Sequence, residues 1–222
     1  MSQDDKKKNS AKAAFDLIEP SLNKDSVLGI GTGSTTNFFI EEVNSSGINI
    51  EGAVCSSISS ENILNSSIKV LGLNEVHSID FYVDGADEFN DRFELIKGGG
   101  GALTREKILA YSSDKFICIV DDSKYVDLLG KFPLPIEVLE IARSAISREI
   151  MKMGGKPIYR NDFITDNGNQ IIDVHNLTIE VPFELEEKIN NIPGVVENGI
   201  FSNRKADVII NAKEQGIDIL EL

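Results

Sequence analysis

Short apolar runs alternate with polar turns and helical segments through the first half of the chain, and this alternation constrains the fold most. The segments VLGI, FYVD and FICIV have the length and composition of buried strands. Residues 3–19, NFFIEEV and ALTREKILAYS have the apolar spacing of helices, and INIEGAVC and SIKVL predict further short strands. Strands that alternate with helices pair in parallel, because each helix returns the chain to the same end of the sheet. The sequence therefore predicts an α/β fold with a doubly wound, mostly parallel sheet and helices on both faces.

The pattern changes near LGKFPLPIEVLE, where prolines flank Leu134. A strand, a helix, a second strand and a hairpin with an Asn-Gly turn at 167–168 follow. Another helix begins after Pro182, and the strand GVVENGIF completes the module. ADVIINA then predicts a strand that returns to the first sheet. We therefore expect a larger α/β domain of residues 1–131 plus 204–222 and a smaller α+β (ferredoxin-like) lobe of residues 132–203.

The chain is acidic, with 222 residues, a formal net charge of −14 and a basic cluster only at the triplet 6–8. Nucleic-acid backbones are bound by clustered lysines and arginines, so this charge argues against a nucleic-acid partner. A single pocket on an acidic protein can still be positive, which leaves a small anionic ligand as a candidate partner.

Signals for export, membrane insertion and metal binding are absent from the sequence. The N-terminus is polar, and no apolar stretch approaches the roughly 18 residues of a membrane-spanning helix. We therefore expect a soluble, cytoplasmic protein with no membrane partner. Cys55 and Cys118 lie inside apolar runs, which predicts buried, reduced thiols. The 2 histidines form no cluster with cysteine, so we expect no zinc.

The first glycine turn, GIGTGST, has Gly29, Gly31 and Gly33 in the order of a dinucleotide-binding fingerprint. Ser34 stands where that fingerprint needs its last glycine, although Glu51 lies at the distance of a ribose-binding acid. The Walker pattern fails because no Gly-Lys-Ser/Thr follows. Hydroxyls beside the N-terminus of a helix suit a phosphate monoester instead. A plain tight turn is the remaining alternative.

The acidic turn DGADE places Asp84, Asp87 and Glu88 directly after a predicted buried strand. Carboxylates at this density can bind Mg²⁺ or Ca²⁺, although the EF-hand spacing is absent. They can also bind sugar hydroxyls or transfer protons, because crowding raises the pKa of at least one carboxyl. A solvated acidic loop is the remaining alternative.

The segment KGGGGALTREK places Lys97 before a run of glycines and Glu106 in the first turns of the next helix. Consecutive glycines leave backbone amides bare for a ligand, at a loss of roughly 0.5–1 kcal/mol each relative to alanine. The N-terminus of the helix favours anions. A base, a cation and amides around one cavity suit removal of a C–H proton next to a carbonyl, with the donors stabilising the enediolate oxygen. A purely structural glycine loop is the alternative.

Polar turns at 31–33, 84–88 and 121–122 each follow a predicted strand. The carboxyl ends of parallel strands meet at one edge of the sheet, where open α/β sheets bind their ligands. We therefore expect these turns to form one site.

GTGST at 31–35, DGADE at 84–88, KGGGGALTREK at 97–107 and DDSK at 121–124 resemble the signature segments of the ribose-5-phosphate isomerase A family. FPLPIEV, TDNGN and PGVVENGIFSNRKADV resemble the same family in the same order, so the likeness covers nearly the whole chain. It implies a metal-free, cofactor-free, reversible isomerisation of D-ribose 5-phosphate and D-ribulose 5-phosphate in the non-oxidative pentose phosphate pathway. It also implies that the larger domain is catalytic and that the smaller lobe lies at the interface of a homodimer or homotetramer.

The resemblance also implies a role for individual residues. The glutamate of the TREK segment, here Glu106, would move a proton between C1 and C2 through a cis-enediolate. Asp84 and Asp87 would bind hydroxyls and assist ring opening, and Lys97 would complete the catalytic set at the reacting end of the sugar. The implied substrate-binding residues are Thr32, Gly33, Ser34, Thr35, Asp84, Gly85, Ala86, Asp87, Lys97, Gly98, Gly99, Gly100, Lys124 and Lys7, with no metal ligand.

Proteins of two other classes have a related sheet. A sugar-phosphate-sensing module of a transcription regulator would carry a DNA-binding segment, yet no basic helix-turn-helix precedes residue 26. Such a module also has no need of a base such as Glu106. An acyl- or CoA-transferase would use a glutamate as nucleophile, but it would bind CoA and have a larger chain. The isomerase therefore accounts best for these residues.

Overall fold

The computed structural model describes residues 1–64, 66 and 68–222, which fall into two compact units. The first unit consists of Met1–Gly85, Ile108–Lys124 and Ala206–Leu222, and the second of Ala86–Lys107 and Tyr125–Lys205. The helices are α1 (Gln3–Ile18), α2 (Ser34–Ser46), α3 (Ile58–Ile63), α4 (Leu103–Tyr111), α5 (Arg143–Lys152) and α6 (Pro182–Asn190). The strands are β1 (Val27–Ile30), β2 (Gly52–Cys55), β3 (Ile79–Asp84), β4 (Glu88–Phe89), β5 (Leu95–Ile96), β6 (Ser113–Asp121), β7 (Leu134–Val138), β8 (Lys156–Tyr159), β9 (Gln170–His175), β10 (Val195–Asn198), β11 (Ile200–Phe201), β12 (Val208–Lys213) and β13 (Gly216–Glu221).

The first unit is built on a sheet of 6 strands in the order β13-β12-β6-β3-β1-β2. Strands β2, β1, β3, β6 and β12 pair in parallel, whereas β13 pairs antiparallel with β12. The chain moves from β1 to β2 on one side and to β3 on the other, so the crossover direction reverses between β1 and β3. Ligands of open α/β sheets bind beyond the carboxyl ends of the strands at such a reversal.

Helices α1 and α2 pack against each other, and α1 also contacts β6 and β12. The side chains of Ala11, Ala14 and Ile18 are buried at helical spacing along α1, which forms its apolar face. Ser2 caps the helix through a reciprocal capping box with Asp5. The helix predicted over residues 3–19 therefore forms, with a 3-10 turn at Glu19–Ser21 after its last α-helical residue.

The second unit has a sheet of 4 antiparallel strands, in the order β10-β7-β9-β8, and a sheet of 3 strands, in the order β11-β5-β4. Helix α5 contacts β8 and β9, and α6 contacts β10 and β11. The apolar core of this unit includes Ile136 and Val138 of β7, Ile146 of α5 and Ile189 of α6. Strand β7 lies between β9 and β10, which makes it an interior strand of its sheet.

The predicted fold class is confirmed, because a mostly parallel sheet with helices is joined by a smaller antiparallel α+β part. The segment ADVIINA returns to the first sheet as β12, as predicted. The second unit also contains residues 86–107, which were predicted to belong to the larger domain. The predicted domain boundaries at 131/132 and 203/204 stay a prediction.

Individual strands are shorter than the apolar runs suggested. In INIEGAVC the strand begins at Gly52, because Gly52 pairs with Val27, the first residue of β1. The predicted strand SIKVL includes Ser67, which lies outside the described residues, and its described part makes an isolated bridge between Val70 and Ala53. The run GVVENGIF divides at Gly199 into β10 and β11, which belong to different sheets.

No helix of the described residues is both long and apolar enough to cross a membrane. Cys55 and Cys118 are both buried, as the sequence predicted. Burial raises the pKa of the Cys55 thiol to about 12, so this group is uncharged at neutral pH.

Candidate active site

The carboxyl ends of β1, β3 and β6 carry polar turns that were predicted to belong to the site. Gly31 follows β1, Gly85 follows β3, and a 3-10 helix, Asp122–Lys124, follows β6. These strands are parallel neighbours in the first sheet, so their carboxyl ends lie at the same edge. The prediction that these turns lie along one edge is confirmed for residues 31–33, 84–85 and 121–122, which belong to the first unit.

Asp84 ends β3 and is completely buried, with an exposed fraction of 0%. Its Oδ1 accepts hydrogen bonds from the backbone amides of Thr32 and Gly85, at 3.0 and 2.7 Å, and from Oγ1 of Thr36 at 3.2 Å. Its Oδ2 accepts a hydrogen bond from the Tyr82 hydroxyl at 2.5 Å. A buried carboxylate needs such donors, because removal from water disfavours its charge. The carboxylate of Asp84 therefore joins the turn after β1 to the end of β3.

Gly31 lies directly against this carboxylate. A Cβ at Gly31 would lie 1.9 Å from Cγ of Asp84, which leaves room for glycine alone. The hydroxyl of Thr32 next to it lies 2.7 Å from Oγ of Ser56 and 2.8 Å from Oγ of Ser57. These serines follow β2 and were not predicted as part of the site, although the Ser-Ser pair after a predicted strand was visible in the sequence.

Helix α2 begins at Ser34, directly after Gly33, whose φ of 128° favours glycine. Gly33 provides no side-chain cap for the helix. Ser34 is exposed and Thr35 is half-buried, so the first turn of the helix presents hydroxyls and backbone amides. Such a terminus attracts an anion, which favours the phosphate interpretation of GTGST over a plain turn.

The lysines near this edge have different surroundings. Nζ of Lys6 donates a hydrogen bond of 2.7 Å to Asp122, and this bond raises the pKa of Lys6. Nζ of Lys7 lies 3.6 Å from Oδ1 of Asp4 on the same helix. Lys124 is half-buried in the 3-10 helix after β6. The predicted binding roles of Lys7 and Lys124 stay predictions.

In the second unit, the glycine segment links β5 to α4 in a tight turn. Gly98 and Gly101 have φ angles of 99° and 83°, and the amide of Gly101 donates to the carbonyl of Gly98 at 2.8 Å. A Cβ at Gly98 would lie 2.8 Å from Cβ of Leu103, and one at Gly101 would lie 2.2 Å from Cζ of Phe163. Backbone conformation and packing therefore both require glycine at these positions.

Gly99 and Gly100 are exposed, and Asp87 fixes this part of the loop. Oδ2 of Asp87 accepts a hydrogen bond of 2.8 Å from the amide of Gly99, and a Cβ at Gly99 would lie 2.7 Å from the other carboxylate oxygen. Arg160 donates from Nη1 to the carbonyl of Gly99 at 3.1 Å. The exposed glycines thus have a defined backbone, with Asp87 beside them.

Lys97 and Glu106 form a buried ion pair at the two ends of this loop. Nζ of Lys97 lies 3.3 Å from Oε2 of Glu106, and the side chains are only 3% and 4% exposed. Nζ also lies 5.6 Å from the ring centroid of Phe201, which adds a cation–π contact. Low exposure strengthens the attraction between the charges, because little water screens them. The structure therefore brings the predicted base and the predicted cation into direct contact.

Lys107, the residue after Glu106 on α4, forms ion pairs with two other glutamates. Its Nζ lies 2.8 Å from Glu186 and 2.9 Å from Glu197, and it donates to the carbonyl of Ile200 at 2.7 Å. Burial by itself would raise the pKa of Glu186, but the charge and hydrogen bond of Lys107, together with the hydrogen bonds from Asn203 and Ser202, lower the pKa. Two glutamates thus offset the charge of Lys107, and Lys97 is the lysine that contacts Glu106.

Glu88 of the DGADE turn is structural. Its side chain is buried, and its carboxylate accepts hydrogen bonds from the amides of Gly130, at 2.7 Å, and Phe132. Burial raises the pKa of Glu88, although these amide donors oppose the shift. The alternative of a solvated acidic loop is wrong for Asp84 and Glu88, because both are buried. Among the described residues, no group of three or more His, Cys, Asp and Glu side chains is placed to hold a metal ion.

The glycine requirement at position 101 can be tested by Gly101→Ala. Position 101 has a φ of 83°, which strains alanine, and the new Cβ would lie 2.2 Å from Cζ of Phe163, which overpacks the site. Together these effects should lower the free energy of unfolding by about 2–5 kcal/mol. Gly154→Ala is the matched control, since Gly154 has a φ of 91° but nothing within 4 Å, and we expect about 1–2 kcal/mol. Denaturant unfolding measures both, and equal losses would contradict the packing argument.

A family model described as ribose 5-phosphate isomerase A (phosphoriboisomerase A) matches residues 52–216, which is more than half of the chain. The chain belongs to this family. The match includes the acidic turn, the glycine segment and the DDSK segment, and it begins after GTGST. The family resemblance of the sequence is therefore confirmed.

Solved structures of the family agree along the whole chain. Ribose 5-phosphate isomerase A from Neisseria gonorrhoeae is 48% identical with a TM-score of 0.95, and the alignment covers 99% of this chain and 97% of that one. The enzyme from Methanocaldococcus jannaschii is 38% identical with a TM-score of 0.90, over 100% of both chains. A D-ribose-5-phosphate isomerase in complex with phospho-erythronic acid is 40% identical with a TM-score of 0.92, over 100% of both chains.

The predicted site residues divide between the two units. In the first unit Thr32 and Gly85 bond to Asp84, and Gly33, Ser34 and Thr35 form the start of α2. In the second unit Asp87, Lys97, Glu106 and the glycines are joined by the contacts above. Ala86 is half-buried in the DGADE turn. The role of each residue toward substrate stays a prediction.

Proposed function

We propose that this chain catalyses the reversible isomerisation of D-ribose 5-phosphate and D-ribulose 5-phosphate. The observation that carries the proposal is the buried Lys97–Glu106 pair at the glycine loop in a member of the ribose 5-phosphate isomerase A family. The chain is an aldose–ketose isomerase of the pentose phosphate pathway. The sensing module and the acyl- or CoA-transferase are disfavoured, because the chain matches isomerases over their full length.

We propose Glu106 as the base that moves the proton. Its carboxylate removes the C2 proton of the open-chain aldose, and the electrons of that C–H bond form the C1–C2 double bond of a cis-enediolate. The carbonyl oxygen at C1 takes up the negative charge, and the ammonium of Lys97 and the loop amides stabilise it. Glu106 then returns the abstracted proton to C1, and the proton on O2 moves to O1, so that the carbonyl stands at C2 and the ketose is formed. The contact of Lys97 with Glu106 supports this pairing of base and electrophile.

We assign Asp84 and Asp87 to the sugar hydroxyls and to opening of the furanose ring. Both carboxylates have fixed orientations, since Asp84 accepts hydrogen bonds from Thr32, Thr36 and Tyr82 and Asp87 accepts one from Gly99. Fixed acceptors suit hydroxyl recognition because little side-chain freedom is lost when the sugar binds.

We assign the phosphate of the substrate to residues 32–35, with Lys124 and Lys7 as the cations. The start of α2 at Ser34 after a glycine without a side-chain cap supports this assignment. A phosphorylated sugar acid is bound by the relative that was solved with phospho-erythronic acid. Its carboxylate carries charge on oxygen as an enediolate does, which supports a site that stabilises such an anion.

The proposal is tested by a coupled assay for ribulose 5-phosphate formed from ribose 5-phosphate. We expect turnover in the absence of any added cofactor, and we expect that exhaustive treatment with EDTA leaves the rate unchanged. Absence of turnover by folded protein would overturn the proposed function. A strict requirement for Mg²⁺ would instead make Asp84 and Asp87 candidate metal ligands.

The homodimer or homotetramer and the cytoplasmic location that the sequence analysis expected are part of this proposal. Their support is the family membership of the chain.

A further inference from the structure

We propose that Glu137 and Thr104 are positioning residues that fix the first turn of α4 and thereby aim the carboxylate of Glu106. This inference rests on the proposed function, since it concerns the base of that reaction. Glu137 is the residue before the last residue of β7, and its exposed fraction is 0%. It has no part in the mechanism described above.

The carboxylate of Glu137 is held by neutral donors. Thr104 Oγ1 donates to Oε2, and Thr165 Oγ1 donates to Oε1 at 2.8 Å. The side-chain amide of Asn169 donates to Oε1 at 2.8 Å, and that of Asn167 lies 3.1 and 3.3 Å from the two oxygens. A charge at this depth needs its full set of donors, because no water replaces a lost one. Glu137 therefore fastens Thr104 to the loop 165–169.

Thr104 belongs to α4 and stands two residues before Glu106. Arg105, between them, is fastened to the same loop, since its Nε donates to Oδ1 of Asn167 and its Nη2 to the carbonyl of Asp166, each at 2.8 Å. The helix turn that carries the base is thus held by two consecutive side chains.

Strand β7 also supports the other side of the pair. Pro135 and Glu137 are two residues apart on β7, so their side chains leave the same face of the strand. Pro135 packs against the glycine segment, with Cγ 3.3 Å from the position of a Cβ on Gly98, and its carbonyl accepts from Gly199 at 2.9 Å. The carbonyl of Gly199 in turn accepts from the amide of Lys97 at 2.9 Å. Strand β7 is therefore linked to Lys97 through the backbone of Gly199 and to the helix turn that carries Glu106 through the side chain of Glu137.

Proton transfer depends steeply on the placement of the base, and a displacement of about 1 Å can lower a rate roughly 100-fold. Removal of the Thr104 hydroxyl frees one side of the first turn of α4 without touching the carboxylate of Glu106. Thr104→Val is therefore expected to lower kcat about 10- to 100-fold with less than about a threefold change in KM. Thr104→Ser retains the hydroxyl and should restore kcat to within about threefold of the original enzyme.

The matched control is Asn169→Ala, which removes a donor to the same carboxylate from the loop and leaves Thr104 in place. Thermal unfolding should show similar losses of melting temperature for Asn169→Ala and Thr104→Val. We expect kcat to fall less than about threefold for Asn169→Ala, because the contact to α4 survives. Equal losses of kcat in both variants would assign Glu137 to general stability and overturn the inference.

The deciding readout is the effect of Thr104→Val in an enzyme that already lacks the base. If Thr104 acts only through Glu106, then Thr104→Val lowers kcat less than about threefold in the Glu106→Gln background. A further 10-fold or greater loss in that background would overturn the inference. If Thr104→Val does not fold, Thr104→Ala replaces it, since alanine also lacks the hydroxyl that donates to Glu137.

The same series separates this inference from the proposed function. A folded original enzyme that does not isomerise ribose 5-phosphate overturns the proposed function. An active original enzyme whose folded Thr104→Val or Thr104→Ala variant keeps its kcat overturns the positioning role alone.

Discussion

Glu106→Gln is expected to lower kcat by about 10²–10⁴-fold, which is the usual contribution of a positioned general base. Glutamine keeps the shape of the side chain and a hydrogen-bonding oxygen, but it cannot accept the C2 proton at neutral pH. KM should change little, because the groups assigned to the hydroxyls and to the phosphate are untouched. The measurement is steady-state turnover of ribose 5-phosphate.

The control for this variant is Glu88→Gln, which alters another buried glutamate of the second unit. Its carboxylate is bound by the amides of Gly130 and Phe132, and we expect its loss to reduce stability with less than about a tenfold change in kcat. Near-native turnover by Glu106→Gln would remove Glu106 from the role of base.

Lys97→Met is expected to lower the free energy of unfolding by about 3–5 kcal/mol, the usual effect of breaking a buried ion pair. The two side chains are 3% and 4% exposed with their charged atoms 3.3 Å apart, so the remaining carboxylate of Glu106 would be buried without its cation. Methionine preserves the apolar stem beside Phe201, which limits the change to the charge. Turnover should fall as well, because Lys97 is the proposed partner of the developing oxyanion.

Denaturant unfolding of Lys97→Met, Glu106→Gln and the double variant forms a closed cycle. The double variant removes both charges, so its loss of stability should be smaller than the sum of the single losses by several kcal/mol. Lys12→Met is the control, since Lys12 lies closer to its partner Asp16, at 2.9 Å, but both side chains are more than half exposed. It should lose little stability, because water screens an exposed pair. Additive losses in the cycle would contradict a direct Lys97–Glu106 interaction.

Much of the fold follows from local patterns. The apolar runs that became β1, β3, β6 and β12 are largely buried, and the helical spacing of Ala14, Phe15 and Ile18 predicts α1. Where the patterns predicted wrong strand bounds, the reason is how the strands pair. Residues before Gly52 lack a partner in β1, and the run 194–201 changes sheet at Gly199, whose Cβ would lie 2.3 Å from the carbonyl of Lys97.

Part of the candidate site was also predictable from local patterns. Glycine and charged residues at the ends of strands are visible in the sequence, and so are Asp84, Asp87, Lys97 and Glu106. The hydroxyl of Tyr82 and those of Ser56 and Ser57 were not predicted, because strand residues and a Ser-Ser pair have no periodic or motif signal of their own. Only their contacts with Asp84 and Thr32 reveal them.

The sequence by itself determined the order of strands and helices, the family, and which residues could serve as base, cation and anion-binding turn. Only the tertiary structure decided that Lys97 contacts Glu106 while Lys107 is held by Glu186 and Glu197. Lys97 and Lys107 carry the same charge and flank the same glycine segment, so composition and spacing cannot distinguish them. What distinguishes them is burial and the neighbours that packing supplies, since a charge interacts strongly only with the groups from which water is excluded.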